Sequence, residues 1–229
     1  MPGNRIMTLM ILNQAITNIF PDWRMINEFP SGLSYIEESN NAKIISRTWD
    51  GDGIRRARLC QLSVPEKFYA ETLVIYPWEM SEAPIFGCEY LRIGGKKYFG
   101  GIDFHPLAQT DEYLREYIDN YLDDMPDTEA ETSKFYDLKQ YFSQKFWFKK
   151  KEHDFYHDFY STAEEYLVRY KLLLEEMEPT HSMLGLHKKY DLHMGDHDPA
   201  HGNLKAYFSE KFADFYIKKF LFNLMDEKI

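Results

Sequence analysis

This 229-residue sequence has few cysteines and no recognisable cofactor motif. Cys60 and Cys88 are its only cysteines, too few for an iron–sulfur cluster or a disulfide framework. The glycine pairs at 94–95 and 100–101 match neither the dinucleotide fingerprint nor the phosphate loop, and no nucleophile-elbow pattern occurs. Neither an iron–sulfur cluster nor a bound nucleotide is therefore indicated.

Long hydrophobic runs and an excess of basic residues are also missing. The apolar stretch at residues 7–20 is interrupted by Asn13, Gln14, Thr17 and Asn18, so it is too short and too polar to span a membrane. The formal net charge of −10 at pH 7 argues against a nucleic-acid binder, because phosphate binding depends on clustered lysine and arginine. We expect a cytoplasmic protein with no membrane or nucleic-acid partner.

Aromatic residues are plentiful, at 17% of the chain. They supply material for one large core, and we expect a single domain over residues 1–229 and a monomer. Aromatic side chains also line pockets for planar apolar ligands. Composition alone does not separate such a pocket from ordinary aromatic packing.

The hydrophobic period changes along the chain from helical to strand-like and back. A helix is predicted over residues 7–20. Strand-length segments follow at residues 32–38, 41–50, 54–63, 68–77, 85–93 and 96–105. Helical patterns then cover residues 111–122, 154–177 and 200–225, the last with a break near Ser209. This order predicts an α+β fold with an antiparallel sheet, and the polar stretch 179–196 is predicted to be a long loop.

Glu89 is out of place in its predicted strand. Period-two alternation puts it on the same face as Ile85, Leu91 and Ile93. Desolvation on an apolar face raises a carboxyl pKa toward neutrality, which suits a proton donor. The alternative is that the segment lies at a sheet edge and Glu89 faces water.

Asp198 is a second carboxylate of interest. It precedes Pro199 and a helical pattern, and aspartate at the N-cap with proline at the first helical position is a common helix start. The functional alternative presents Asp198 into a cleft from this junction. Both can hold, because one carboxyl oxygen can cap the helix while the other exchanges a proton.

The histidines at 193, 197 and 201 are spaced four apart with Asp196 and Asp198 between them, and they superficially resemble a metal site. Pro199 disfavours helical geometry at Asp198. We therefore do not expect the three imidazoles to share one helix face, although a metal-dependent hydrolase remains an alternative.

One local cluster of positive charge stands out from the acidic background. It consists of Lys145, Lys149, Lys150 and Lys151 around three aromatic residues. Such a cluster can steer an acidic partner, and the alternative is the solvated end of a strand.

Several short motifs, in order, resemble the ferredoxin-dependent bilin reductases. They are LVIYP at 73–77, APIFGCE at 83–89, GIDFHP at 101–106, DPAHG at 198–202 and FLF at 220–222. The resemblance implies a three-layer α/β/α sandwich with a central antiparallel sheet. It also implies that biliverdin binds between the sheet and the C-terminal helices.

The resemblance further implies the chemistry. Members of this family pass single electrons from reduced ferredoxin directly to the bound bilin, so the protein supplies protons and needs no cofactor. Glu89 and Asp198 stand where phycoerythrobilin synthases of the family have aspartates, and they are the implied proton donors. The implied substrate contacts are Thr72, Phe86, Cys88 and His201. The lysine cluster Lys145, Lys149, Lys150 and Lys151 is the implied ferredoxin surface.

The resemblance implies phycoerythrobilin as the product, made by two successive two-electron steps through bilin radicals, because Asp198 is retained. The alternatives are a two-electron reductase that stops at 15,16-dihydrobiliverdin, a phycocyanobilin producer, and a bilin-binding protein without catalysis. Three departures from the family pattern bear on this choice. Glu89 replaces an aspartate, Thr72 replaces a histidine or asparagine, and His201 replaces an arginine.

Overall fold

An antiparallel sheet lies at the centre of the chain. The computed structural model describes residues 11–27, 29–39, 41–126 and 141–224, and within these ranges the sheet has eight strands. They are β1 Arg24–Ile26, β2 Ile36–Ser39, β3 Ala42–Asp50, β4 Ile54–Val64, β5 Phe68–Pro77, β6 Ile85–Ile93, β7 Lys97–His105 and β8 Trp147–Lys151. Their order is β1-β3-β4-β5-β6-β7-β8, and β2 also pairs with β3.

Helical segments cover both faces of this sheet. They are α1 Ile11–Ile19, α2 Asp111–Leu114, a π-helical turn Arg115–Asp119, α3 Asn120–Leu122, α4 Tyr156–Glu176, α5 Leu184–His197, α6 Ala200–Tyr207, α7 Glu210–Tyr216 and a π-helical turn Ile217–Leu221. None of the described helices is long and apolar enough to cross a membrane.

Two apolar cores separate the three layers. One core joins α1, α3 and α4 to the first face of the sheet, and the other joins α5, α6 and α7 to the opposite face. Because both faces are covered, the strands carry buried side chains in alternation on each side. The predicted α+β fold, a three-layer α/β/α sandwich with a central antiparallel sheet, is confirmed.

Most predicted elements agree closely with the structure. The segments 68–77 and 85–93 are strands over those same residues. The predicted break near Ser209 is also confirmed, since the Ser209 hydroxyl accepts a hydrogen bond from the Phe212 N–H at 3.1 Å and begins α7. The predicted strand at residues 32–38 is shorter in the structure, where β2 covers Ile36–Ser39 and Gly32 has a φ of 93° in a turn before it. Residues 7–10 and 225 lie outside the described residues.

The predicted loop at residues 179–196 is wrong, because much of it forms α5. The buried face of α5 carries His187, Tyr190, Asp191 and Met194. Two of these residues are polar, so the apolar period that signals a helix is weak. Asp191 is buried because the Tyr76 hydroxyl, on β5, donates a hydrogen bond of 2.7 Å to it. That contact joins positions 115 residues apart, and no local pattern predicts it.

Gly100 on β7 marks a close approach between the sheet and α4. A Cβ atom there would lie 2.9 Å from a ring carbon of Phe159 and 3.1 Å from one of Phe155. Both rings are buried, so they have little room to move.

We expect Gly100→Ala to lower the free energy of unfolding by about 1–3 kcal/mol through overpacking. Gly185→Ala is the matched control, because a Cβ at this glycine of α5 would meet nothing within 4 Å. The control should leave stability unchanged or slightly higher. Urea unfolding followed by circular dichroism measures both. Equal effects of the two substitutions would contradict the packing described for Gly100.

Candidate active site

An apolar cavity of about 230 Å³ lies between the sheet and helices α5 to α7. Strands β4 to β7 form its floor. Much of its wall is aromatic and consists of Phe68, Phe142, Phe146, Tyr190, Tyr216 and Phe222. A wall of this composition is typical of sites for planar apolar ligands.

Glu89 borders this cavity because of the alternation of side chains along β6. Gly87, Glu89 and Leu91 border the cavity, whereas Phe86 and Tyr90 belong to the core on the other face. The predicted placement of Glu89 on the face of Leu91 is confirmed. The sheet-edge alternative is wrong, because β6 lies between β5 and β7.

Thr72 holds one oxygen of the Glu89 carboxyl group. The two residues are direct partners in the β5–β6 pairing, and the Thr72 hydroxyl donates to Glu89 Oε1 at 3.1 Å. Among the described residues this is the one hydrogen bond that Glu89 makes, so Oε2 is left for a ligand. Thr72, predicted as a substrate contact, also borders the cavity.

The surroundings of Glu89 bring its pKa close to neutral pH. Burial, and to a smaller extent the negative charge of Asp198, raise the pKa from 4.5 to about 7, and the Thr72 hydrogen bond opposes the shift. A carboxyl group with a pKa near the working pH is suited to donate a proton and to recover it.

Asp198 borders the same cavity from the junction between α5 and α6. Its Oδ1 accepts a hydrogen bond of 2.7 Å from the N–H of Ala200, the first residue of α6, so the predicted capping role is confirmed. Burial raises its pKa to about 6, while the Ala200 hydrogen bond and the nearby His201 oppose the shift. The structure therefore brings Glu89 and Asp198 to one cavity, each with a pKa raised by burial.

Two predicted substrate contacts carry their side chains on the other face of the sheet. Phe86 is fully buried on the opposite face of the sheet, where its ring packs against Phe104 and Tyr170, so the prediction that it contacts substrate is corrected. Cys88 borders the cavity floor, but its side chain belongs to the core on that opposite face. Alternation along β6 explains both, because even-numbered side chains point toward α4.

His201 lies beside the cavity and does not border it. It borders a neighbouring polar crevice, where its Nε2 lies 2.9 Å from Asp214 Oδ1. His193 and His197 stack on each other on α5. In the part of the chain that the structure describes, no group of three or more metal-ligating side chains occurs.

His105 is a cavity residue that the sequence analysis did not identify. It is buried, and burial lowers its pKa to about 4. Its Nδ1 lies 3.0 Å from the Tyr141 carbonyl oxygen, so Nδ1 carries the proton and Nε2 is an acceptor. A Cβ at Gly87 would lie only 2.1 Å from that Nε2. A glycine inside a strand is the sequence signal for such a close approach.

The four lysines of the cluster lie in different environments. Lys145 pairs with Asp123 at 3.0 Å. The others lie on the edge strand β8, where Lys149 packs over the Trp147 ring and Lys150 over the Phe99 ring. Alternation puts Lys149 and Lys151 on the α4 side and Lys150 on the cavity side of the sheet. The cluster is therefore an edge of positive charge and not a patch on one face.

Known proteins resemble this chain along most of its length. A family model for ferredoxin-dependent bilin reductase matches residues 25–223. A 15,16-dihydrobiliverdin:ferredoxin oxidoreductase of Prochlorococcus marinus (strain MIT 9211) is 30% identical over 213 residues, which cover 84% of this chain and 87% of the relative. The protein of the same name from Synechococcus sp. (strain CC9605) is 30% identical over 208 residues, covering 85% and 88%.

A solved structure shows the same fold. Tomato phytochromobilin synthase in complex with biliverdin superposes with a TM-score of 0.81 at 18% identity, over 95% of this chain and 83% of that one. The sequence match and the fold together define an oxidoreductase. The chain belongs to the ferredoxin-dependent bilin reductase family, as the sequence motifs indicated.

The raised pKa of Glu89 predicts a specific pH dependence of stability. Between pH 4.5 and about 7 the folded protein holds a proton on Glu89 that the unfolded chain has lost, so stability falls as pH rises through this window. We expect Glu89→Gln to reduce that fall and to be more stable than the wild type above pH 7.

Urea unfolding at pH 5, 6, 7 and 8 measures this dependence. Glu178→Gln is the matched control, because Glu178 is exposed, and it should keep the wild-type pH profile. Identical profiles for Glu89→Gln and the wild type would show that Glu89 titrates as an ordinary exposed carboxylate.

Proposed function

We propose that this chain catalyses the two-electron reduction of biliverdin IXα to 15,16-dihydrobiliverdin, with reduced ferredoxin as the electron donor. The observation that carries the proposal is Glu89, an acid with a pKa of about 7 held by Thr72 in an apolar cavity. The names of the relatives at 30% identity support this product over phycoerythrobilin.

Two protons must accompany the two electrons, because the product has two more hydrogens than the substrate. In this proposal Glu89 gives one proton to the singly reduced bilin from the floor of the cavity, through the oxygen that Thr72 does not hold. Asp198 gives the other from the α5–α6 junction. The charge on one carboxylate raises the pKa of the other, which favours a state in which at least one of them is protonated.

A second candidate function is the four-electron reduction to phycoerythrobilin. Its support is Asp198, which reaches the same cavity as a separate acid with a pKa of about 6. In that reaction Glu89 donates a proton in the first reduction, and Asp198 donates one in a later step on the A ring. The Asp198→Asn variant would then accumulate 15,16-dihydrobiliverdin while the wild type makes phycoerythrobilin.

An anaerobic assay with biliverdin and reduced ferredoxin tests the proposal directly. We expect biliverdin to bind about equimolarly and to be converted to 15,16-dihydrobiliverdin, identified by absorbance and chromatography. Phycoerythrobilin as the final product would establish the second candidate. Binding without any reduction would identify a bilin-binding protein without catalysis.

Glu89→Gln tests the first proton donor, because it keeps the shape of the side chain and removes the acid. We expect normal biliverdin binding and a rate lowered by about 10²- to 10⁴-fold, the usual contribution of a general acid, with a bilin radical accumulating in electron paramagnetic resonance spectra. Glu178→Gln again serves as the control. An unchanged rate for Glu89→Gln would exclude Glu89 as the donor.

Ferredoxin docking at the β8 edge predicts a salt-dependent KM. We propose that Lys150, on the cavity side of the sheet, contributes more than Lys149 and Lys151, which face α4. Lys150→Glu should raise the KM for ferredoxin, and higher ionic strength should reduce the difference from the wild type. Lys171→Glu on α4 is the control and should leave this KM unchanged. A KM insensitive to salt and to charge reversal at Lys150 would exclude this edge.

A further inference from the structure

Asp198 separates two cavities of opposite character. On one side it borders the apolar cavity together with Glu89. On the other side it borders a polar crevice between α5, α6 and the end of α7. Bulk solvent reaches this crevice, because several of the residues that border it are exposed. These residues are Asp196, His197, Pro199 and Gly202. Among the described carboxylates that border the apolar cavity, Asp198 alone also borders the crevice.

A histidine–aspartate pair crosses the crevice next to Asp198. His201 Nε2 on α6 lies 2.9 Å from Asp214 Oδ1 on α7, and both side chains are partly exposed. The nearby His201 lowers the pKa of Asp198. Asp198 Oδ1 is occupied by the Ala200 N–H, and Oδ2 makes no hydrogen bond to the described residues. This second oxygen is therefore available to exchange a proton.

Repeated turnover requires a supply of protons, which the apolar cavity alone does not provide. Each reduction removes protons from the cavity acids, and Glu89 is surrounded by apolar walls that a bound bilin would close further. We propose that the crevice is the route by which protons enter, and that the His201–Asp214 pair returns a proton to Asp198 after each turnover. The inference rests on the proposed function, because it assumes that Asp198 is consumed as an acid.

The transfer involves protons only and balances without an oxidant or reductant. The protonated imidazole of His201 gives a proton through crevice solvent to Asp198 Oδ2, and His201 then takes a proton from bulk solvent. Asp214 Oδ1, 2.9 Å from His201 Nε2, holds the imidazole in place in the crevice. The titratable groups that face Asp198 from the sheet and from α5 are Glu89, Cys60 and Tyr190. Burial holds the pKa of Cys60 at about 12, so its thiol stays protonated and does not replace His201.

His201→Gln tests the route, because glutamine can still hydrogen-bond Asp214 but does not titrate. With enzyme first equilibrated at pH 6, we expect an unchanged first turnover and a steady-state rate lowered by about tenfold or more. Added imidazole should restore the steady-state rate, and the solvent deuterium isotope effect on it should increase. Asp214→Asn should also lower the steady-state rate and leave the first turnover unchanged.

His197→Gln is the matched control. His197 also borders the crevice, but its Nδ1 lies 2.8 Å from the His193 carbonyl within its own helix, and this variant should behave as the wild type. Wild-type steady-state rates in both His201→Gln and Asp214→Asn would overturn the inference. Equal losses in the first turnover and in the steady state, with weaker biliverdin binding, would also overturn it by assigning His201 to substrate binding. Failure of the proposed function is distinguishable, because the wild type would then reduce no biliverdin.

Discussion

The pairing of Thr72 with Glu89 across β5 and β6 is the contact on which the site depends. A β-strand alternates its side chains between two faces, so a slip of one residue in this register would turn Glu89 away from the cavity and toward α4. The 3.1 Å hydrogen bond from Thr72 holds the carboxyl group in an environment that otherwise disfavours its charge. The raised pKa of Glu89 follows from this balance between burial, the nearby charge of Asp198 and one hydrogen bond.

A second buried carboxylate on the same sheet, Glu71, has a raised pKa but a structural environment. Glu71, on the α4 face of β5, also has a pKa raised to about 7 by burial. It accepts hydrogen bonds from Tyr156 at 2.7 Å, Gln61 at 2.8 Å and Tyr69 at 3.3 Å. Both of its oxygens are therefore occupied, whereas Glu89 borders a cavity and its Oε2 has no hydrogen-bond partner in the described part of the chain. The pKa alone does not distinguish the two acids, and the hydrogen bonds do.

The site combines an apolar compartment with a polar one. The aromatic and aliphatic wall around Glu89 lowers the local dielectric constant, which strengthens the electrostatic coupling between the two cavity acids. Asp198 is placed at the edge of that wall by the turn at Pro199, where α5 ends and α6 begins. Its Oδ1 accepts the Ala200 N–H, and Oδ2 makes no hydrogen bond to the described residues. In the proposed reaction this second oxygen exchanges protons between the two compartments.

The sequence by itself determined the local features of this protein. Hydrophobic periods predicted β5, β6 and the break at Ser209, alternation predicted the face of Glu89, and the Asp-Pro pair predicted the cap at Asp198. These features depend on neighbours a few residues away, so a linear pattern contains them.

Only the tertiary structure decided the rest. Asp191 is buried on the inner face of α5 because it meets Tyr76 of β5, and His105 lines the cavity because Gly87 leaves room for its ring. Phe86 lies on the far face of the sheet, and the lysines divide across the edge strand β8. Each outcome depends on contacts between distant segments. Whether a polar side chain in an apolar segment disrupts packing or forms part of a site depends on the residues that pack against it. The order of residues along the chain does not specify those contacts.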